Sequence, residues 1–160
     1  MTLRILATAV WRPAFLLLAT PIAMSVHSVA QTGPVPKDFS VTLERTGCVG
    51  SCPGYKVTIL ADGSVHYEGL YYVQAEGVRR KTIPAAKIEK VAQLLRDDHF
   101  FDWEEKKSVC LDFPEVHITV LMNGKEKHVL EGCNQAGDVL ALARTIDKVA
   151  GTKRWVGQAQ

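Results

Sequence analysis

Asn123-Gly124 separates two runs of alternating character, Val116-His-Ile-Thr-Val-Leu-Met122 and Lys125 to Glu131. Both central residues of a type I′ turn need positive φ, which Asn-Gly tolerates better than other dipeptides, so the pair predicts a tight two-residue hairpin. That loop length fixes the register and sets Ile118 opposite Val129. Val116, Ile118, Val120 and Val129 then face a core, and His117, Thr119 and His128 share the other face. Counting outward from the turn, position 133 falls opposite 114. Cys110, just before the first strand, is therefore within reach of Cys133, just after the second.

A second hairpin is signalled by Ala61-Asp62-Gly63 between Tyr55–Leu60 and Val65–Val73. A two-residue Asp62-Gly63 loop would bring Glu68 and His66 onto the face of Val57 and Ile59. A three-residue loop with Gly63 in the left-handed region instead aligns Tyr55, Val57 and Ile59 with Val65, Tyr67 and Gly69, and parity favours it. Phe39 to Arg45 alternates as a first strand with Phe39, Val41 and Leu43 inward, and a short strand near Val78 to Ile83 returns along the meander. Pro84 opens a helix whose Ile88, Val91, Ala92 and Leu95 form one apolar stripe. The aromatics of His99-Phe-Phe-Asp-Trp103 read as a plug at the end of the core. A last helix carries Val139, Leu142, Ala143 and Ile146 and stops at Gly151. The expected class is α+β: an antiparallel sheet built as strand meander, helix, β-hairpin, helix, with the helices packed on one face. The chain contains no repeat and no low-complexity tract.

The first thirty residues read as an export signal. Arg4 and Arg12 precede or flank the 11-residue apolar run Ala14–Met24, and Ser28-Val29-Ala30 supplies small residues for cleavage after Ala30. Eleven residues containing Pro21 fall short of the roughly 20 needed to span a bilayer, and no later segment reaches that length. Residues 31–37 read as a linker, 38–151 as one domain and 152–160 as a C-terminal tail. No membrane span is expected after cleavage, and the expected location is periplasmic or secreted.

Loss of the leader removes two of the 19 basic residues and none of the 17 acidic ones, so the mature chain is neutral. Nucleic-acid binding needs clustered cations to neutralise phosphates, and Arg79-Arg80-Lys81 alone reads as a solvated strand end.

All four cysteines lie beyond the leader, and an even count in an oxidising compartment favours disulfides. Three connectivities are formally possible. The hairpin register favours Cys110 with Cys133, which leaves Cys48 with Cys52. The alternative is a working dithiol, because Cys48-x-x-x-Cys52-Pro53 resembles the motif of Sco-type copper chaperones, in which soft thiolates and a histidine suit Cu(I). In that family the motif leads into a helix whose N-terminus lowers the thiol pKa. Here it leads into Gly54 and an alternating strand, and the staple reading is the stronger. Paired zinc knuckles are absent. A metal set of Cys48, Cys52, His117 and His128 is the weaker alternative to histidines on a wet sheet surface, so no metal and no cofactor are expected. Asp97, Asp98, Asp112 and Glu115 have no spacing that ties them together as catalytic carboxylates. Ser51 lacks the Gly-x-Ser-x-Gly elbow of a nucleophile.

Leu43-Glu-Arg-Thr-Gly-Cys-Val-Gly-Ser-Cys-Pro-Gly-Tyr55, followed by an apolar strand and Asp62-Gly63-x-Val65-x-Tyr67-x-Gly69, resembles the bacterial domain of unknown function numbered 6438. The resemblance continues through the Ile88 to Leu95 helix, Phe100-Phe101, Asp112-x-Pro114 and Ile146-Asp147, over about residues 39 to 150. It implies a small exported or envelope domain with no catalytic or ligand-binding residues to carry over. Cys110 and Cys133 look like additions to the family pattern, which supports their pairing with each other.

The expectation is a disulfide-stapled, non-enzymatic envelope domain that binds an unidentified protein or ligand. It would use its sheet surface or a loop containing Gly50, Pro53 and Tyr55. Thiol-redox or copper chemistry at Cys48 and Cys52 is the rival reading.

Overall fold

The computed structural model describes residues 33–157. The leader expected over residues 1–30 lies outside the described residues. Among the described residues seven strands form one sheet: β1 (Ser40–Arg45), β2 (Gly54–Leu60), β3 (Ser64–Tyr71), β4 (Gly77–Thr82), β5 (Lys106–Val109), β6 (Val116–Met122) and β7 (Lys125–Gly132). Their order across the sheet is β4-β3-β2-β1-β6-β7-β5. Among the described residues three α-helices complete the fold: α1 (Ala85–Asp97), α2 (Gly137–Ala150) and the four-residue α3 (Lys153–Val156).

Both hairpins have the loop lengths that parity requires. Ile59 pairs with Val65 and Val57 with Tyr67, around a three-residue loop with Gly63 at φ +86°. Ile118 pairs with Val129 and Met122 with Lys125, with Asn123 and Gly124 both at positive φ. The Asp38 carboxylate accepts hydrogen bonds from the Asn123 and Gly124 backbone N–H groups at 3.2 and 2.6 Å, tying the turn to the start of the domain.

Alternation along the strands buries one face of the sheet. Val41, Leu43, Val57, Ile59, Val65, Tyr67, Ile118 and Val120 join the stripes of α1 (Ile88, Val91, Ala92, Leu95) and α2 (Val139, Leu142, Ala143, Ile146) in a single cluster. Pro84 precedes the first residue of α1, and Gly151 ends α2 in the left-handed region at φ +66°. Phe100, fully buried in a 3-10 turn, packs against Phe101 and Trp103.

The sheet is mixed rather than wholly antiparallel. β5 runs parallel to β7 at one edge, with Val109 opposite Gly132. Its sequence, Lys-Lys-Ser-Val, has no alternating apolar signal. Its place is set from outside: Cys110 and Cys133, the next residues on the two strands, are disulfide-bonded. Backbone bonds from Leu130 N–H to the Glu105 carbonyl and from Cys110 N–H to the Gly132 carbonyl close the pair. The strand therefore follows from the bridge rather than from local propensity.

The ordered fold also runs past residue 151, where the sequence suggested a tail. Thr152 and Trp155 are buried, and the Trp155 ring lies 4.8 Å from that of Tyr67. The Gln74 and Ala75 N–H groups donate to the Val156 and Trp155 carbonyls, so α3 is stitched to the β3–β4 connection. Val35, in the segment expected to be a linker, packs against the core.

Tyr67 is nearly fully buried, and its hydroxyl has no hydrogen-bond partner among the described residues. Burial pushes its pKa up to about 12, against the opposing pull of the Arg79 charge. An unsatisfied buried hydroxyl destabilises, and its removal at constant shape is neutral or favourable. Tyr67→Phe is therefore expected to leave unfolding free energy in urea unchanged or to raise it by up to about 1 kcal/mol. A loss of that size would mean the hydroxyl is engaged after all.

Candidate functional site at the disulfide end of the sheet

The two cysteine pairs are Cys48–Cys52, with Cα atoms 5.5 Å apart, and Cys110–Cys133, with Cα atoms 4.9 Å apart. Among the described residues no cysteine is free. The first bridge closes the loop between β1 and β2, and the second fixes the end of β5 to the end of β7. Cys48 and Cys110, one from each bridge, line the same open groove of about 600 Å³.

The groove walls mix polar groups with exposed apolar side chains. Eight large hydrophobic residues are exposed among the described residues, and six of them line this groove: Val49, Tyr71, Tyr72, Val109, Leu111 and Phe113. Leu111 is 90% exposed and Val49 79%. Single exposed apolar residues are ordinary, whereas six gathered in one groove make it a candidate interaction surface. Two wall residues sit on strained backbone. Tyr72 has φ +52° and Asp112 φ +66°, a region that costs a non-glycine residue on the order of 1 kcal/mol. At Tyr72 the strain ends β3 and presents a 63%-exposed ring to solvent. At Asp112 it turns the chain between Leu111 and Phe113.

Close packing holds the Cys48–Cys52 loop to the wall. The Tyr71 ring lies over Gly47 and Gly54 where a Cβ would otherwise stand, and its hydroxyl accepts the Gly47 N–H at 2.7 Å. Both glycines are thus explained by the approach of one aromatic ring. On the far wall, the Glu115 N–H donates to Thr46 Oγ1 at 2.9 Å, and the Thr46 N–H donates to the Glu115 carbonyl. The second bridge rests on Glu131, a buried carboxylate that accepts from the Cys133 and Gln135 N–H groups and from the Ser108 hydroxyl. Burial alone would push its pKa up. These donors outweigh it and hold the carboxyl below its ordinary range.

The expected binding-loop residues separate. Gly50 is exposed and Pro53 half-buried, but Tyr55 turns into the core and is 3% exposed. Its hydroxyl donates to Asp147 Oδ1 at 2.7 Å, beside the Thr152 hydroxyl at 2.8 Å. Arg45 donates to Asp147 Oδ2 through Nε and Nη2 at 3.2 and 2.9 Å. Burial, reinforced by the neighbouring carboxylate, raises the Tyr55 pKa well beyond its ordinary value, so the phenol remains a donor. Burial also opposes the Arg45 charge, but Asp147 outweighs it and raises the Arg45 pKa. A cleft of about 700 Å³ opens beside Tyr55, Asp147 and Thr152. The four acceptor positions of Asp147 are already filled within the domain, so the network reads as a clamp rather than a ligand site.

The redox and copper reading is not favoured. The sulfurs of Cys48 and Cys52 bond to each other, and β2, not a helix, follows them, so no helix N-terminus acts to depress a thiol pKa. As disulfide sulfurs, Cys48 and Cys52 are not thiolates in this structure, so no set of Cys48, Cys52, His117 and His128 is assembled in it. Among the described residues no three His, Cys, Asp or Glu side chains gather as a metal cluster. The histidines do meet, as neighbours on the outer face of β6 and β7. Residues 71–72 and 109–113 of the groove carried no signal as a site, because they come from separate segments that only the folded sheet unites.

No helix among the described residues is long and apolar enough to cross a membrane. A family model described as a domain of unknown function (DUF6438) matches residues 39–150, and the chain belongs to that family. No curated protein matches it.

Proposed function

We propose that this DUF6438 domain is a non-catalytic binding module of an oxidising compartment, and that it docks a polypeptide segment in the groove framed by its two disulfides. The observation that carries this reading is the gathering of six of eight exposed large hydrophobics into one groove. Two disulfides in a chain of this size support an exported protein, periplasmic or secreted. The charge of the groove supports the choice of partner. Asp112 and Glu115 are the only ionisable side chains lining it apart from the tyrosines, and no lysine or arginine does. An apolar segment carrying a basic residue complements both the walls and their charge.

The test is display selection of a random peptide library against the oxidised full-length protein. Enriched sequences are expected to place Lys or Arg among large apolar residues. Leu111→Ser with Phe113→Ser should abolish enrichment while leaving the urea midpoint unchanged, since both side chains are at least half exposed. Enrichment that survives this double change overturns the groove as the docking site, and an acidic consensus overturns the assignment of the partner's charge.

A further inference from the structure

The groove is not the only surface on which chemistry-bearing side chains converge. On the outer face of the sheet, cross-strand pairing lines up Arg80, His66, Thr58, Thr42, Thr119 and His128 from one edge to β7. His117 is two residues from Thr119 along β6, so it is the diagonal neighbour of His128. Their ring centres are 5.4 Å apart, with the planes inclined by 40°.

Each ring has one nitrogen committed. His117 Nε2 is hydrogen-bonded to Glu115 Oε2 at 2.9 Å, and His128 Nδ1 to Thr119 Oγ1 at 3.0 Å. His117 Nδ1 and His128 Nε2 have no hydrogen-bond partner among the described residues. A metal-ligating histidine typically has one nitrogen held by an oxygen and the other free to bind. The Glu115 carboxylate can only accept, so a neutral His117 carries its proton on Nε2 and has its lone pair on Nδ1; His128 has its lone pair on Nε2 when the Thr119 hydroxyl accepts from Nδ1. The separation fits as well. With metal–nitrogen bonds of about 2.0–2.1 Å, two imidazoles on one tetrahedral ion have ring centres about 5 Å apart.

We propose that His117 and His128 form a two-histidine site for a borderline divalent transition ion such as Zn²⁺, with Glu115 and Thr119 as positioning residues. Imidazole nitrogen suits such ions, whereas Mg²⁺ and Ca²⁺ prefer oxygen ligands. Two protein ligands leave the remaining coordination positions to water or to a side chain of a docked partner. The site does not depend on the groove reading, because its ligands come from the outer face. Glu115 alone belongs to both, through its place in the groove wall.

The experiment is a titration of metal-stripped, oxidised full-length protein with Zn²⁺ alone, followed by calorimetry and by histidine ring signals in NMR. Saturable binding of one equivalent is expected, shifting the His117 and His128 rings together and leaving His66 and His99 unmoved. His117→Ala and His128→Ala should each lower affinity at least tenfold, and His66→Ala should not. Glu115→Gln should lower it about tenfold and alter the His117 tautomer signature in ring nitrogen shifts, which a merely structural role would not do. Absence of saturable binding, or parental affinity in both histidine variants, overturns the site. Parental affinity and tautomer in Glu115→Gln remove Glu115 from it.

Discussion

Asp147→Asn is expected to lower the unfolding free energy by about 3 kcal/mol, as breaking a largely buried ion pair does when one charge is left behind. The carboxylate accepts four hydrogen bonds, two from Arg45 and one each from Tyr55 and Thr152. An asparagine keeps one oxygen for the hydroxyls but turns an amide N–H₂ toward the guanidinium. Arg45 is then a mostly buried cation without its partner, its side chain only 23% exposed. The loss should be felt across the domain, because the network joins the end of β1, the start of β2 and the turn from α2 to α3. Removing both charges in Arg45→Met with Asp147→Leu should recover much of the stability, since the uncompensated charge is the main cost. Urea denaturation of the three proteins checks this. A single variant within about 0.5 kcal/mol of the parent would mean that the network contributes little beyond surface charge.

Replacing Cys110 and Cys133 together by Ser should cost about 3 kcal/mol, and the same change at Cys48 and Cys52 about 2. The order follows from loop length: the separations are 23 and 4 residues, and the longer loop has more freedom in the unfolded chain. The two variants should also differ in kind. β5 pairs with β7 alone and has little apolar surface of its own, so loss of its bridge frees the Val109 to Phe113 wall. The Cys48–Cys52 loop is still held by Tyr71 over Gly47 and Gly54 when its bridge is gone. Melting and amide exchange on both double variants, compared with the parent, measure these effects. Equal losses, or a greater loss at Cys48 and Cys52, would contradict the loop-length argument.

The parts of this fold that were legible in sequence are those set by local pattern. Asn123-Gly124 and the parity around Ala61-Asp62-Gly63 fixed two registers, because a one-residue slip would have put charged residues under the core. The Asn123-Gly124 register favoured Cys110 with Cys133 and so left Cys48 with Cys52, the pairs that the structure has. The apolar stripes of α1 and α2 were equally plain. What escaped was determined by distant partners. Lys-Lys-Ser-Val becomes a strand through a bridge to residue 133. Trp155 is buried by packing on Tyr67, far back in the chain. Tyr55 read as an inward-facing residue of β2 and also as part of a binding loop; the strand reading holds, but its partner Asp147, 92 residues away, had no local signal. The groove was the least legible feature, since its walls come from three stretches that share no motif and no spacing.

The two bridges also bear on the thermodynamics of docking. The groove walls are covalently framed on both sides, at Cys48 and at Cys110, and at the Cys110 wall, which little else holds, much of the ordering entropy is lost when the cysteines oxidise, before any ligand arrives. A segment that docks there meets a preorganised surface and need not order it, so most of the entropic penalty falls on the ligand. If the groove docks a segment as proposed, reduction would reverse that distribution and make the same residues a costlier surface to occupy, which would tie affinity to the redox state of the compartment.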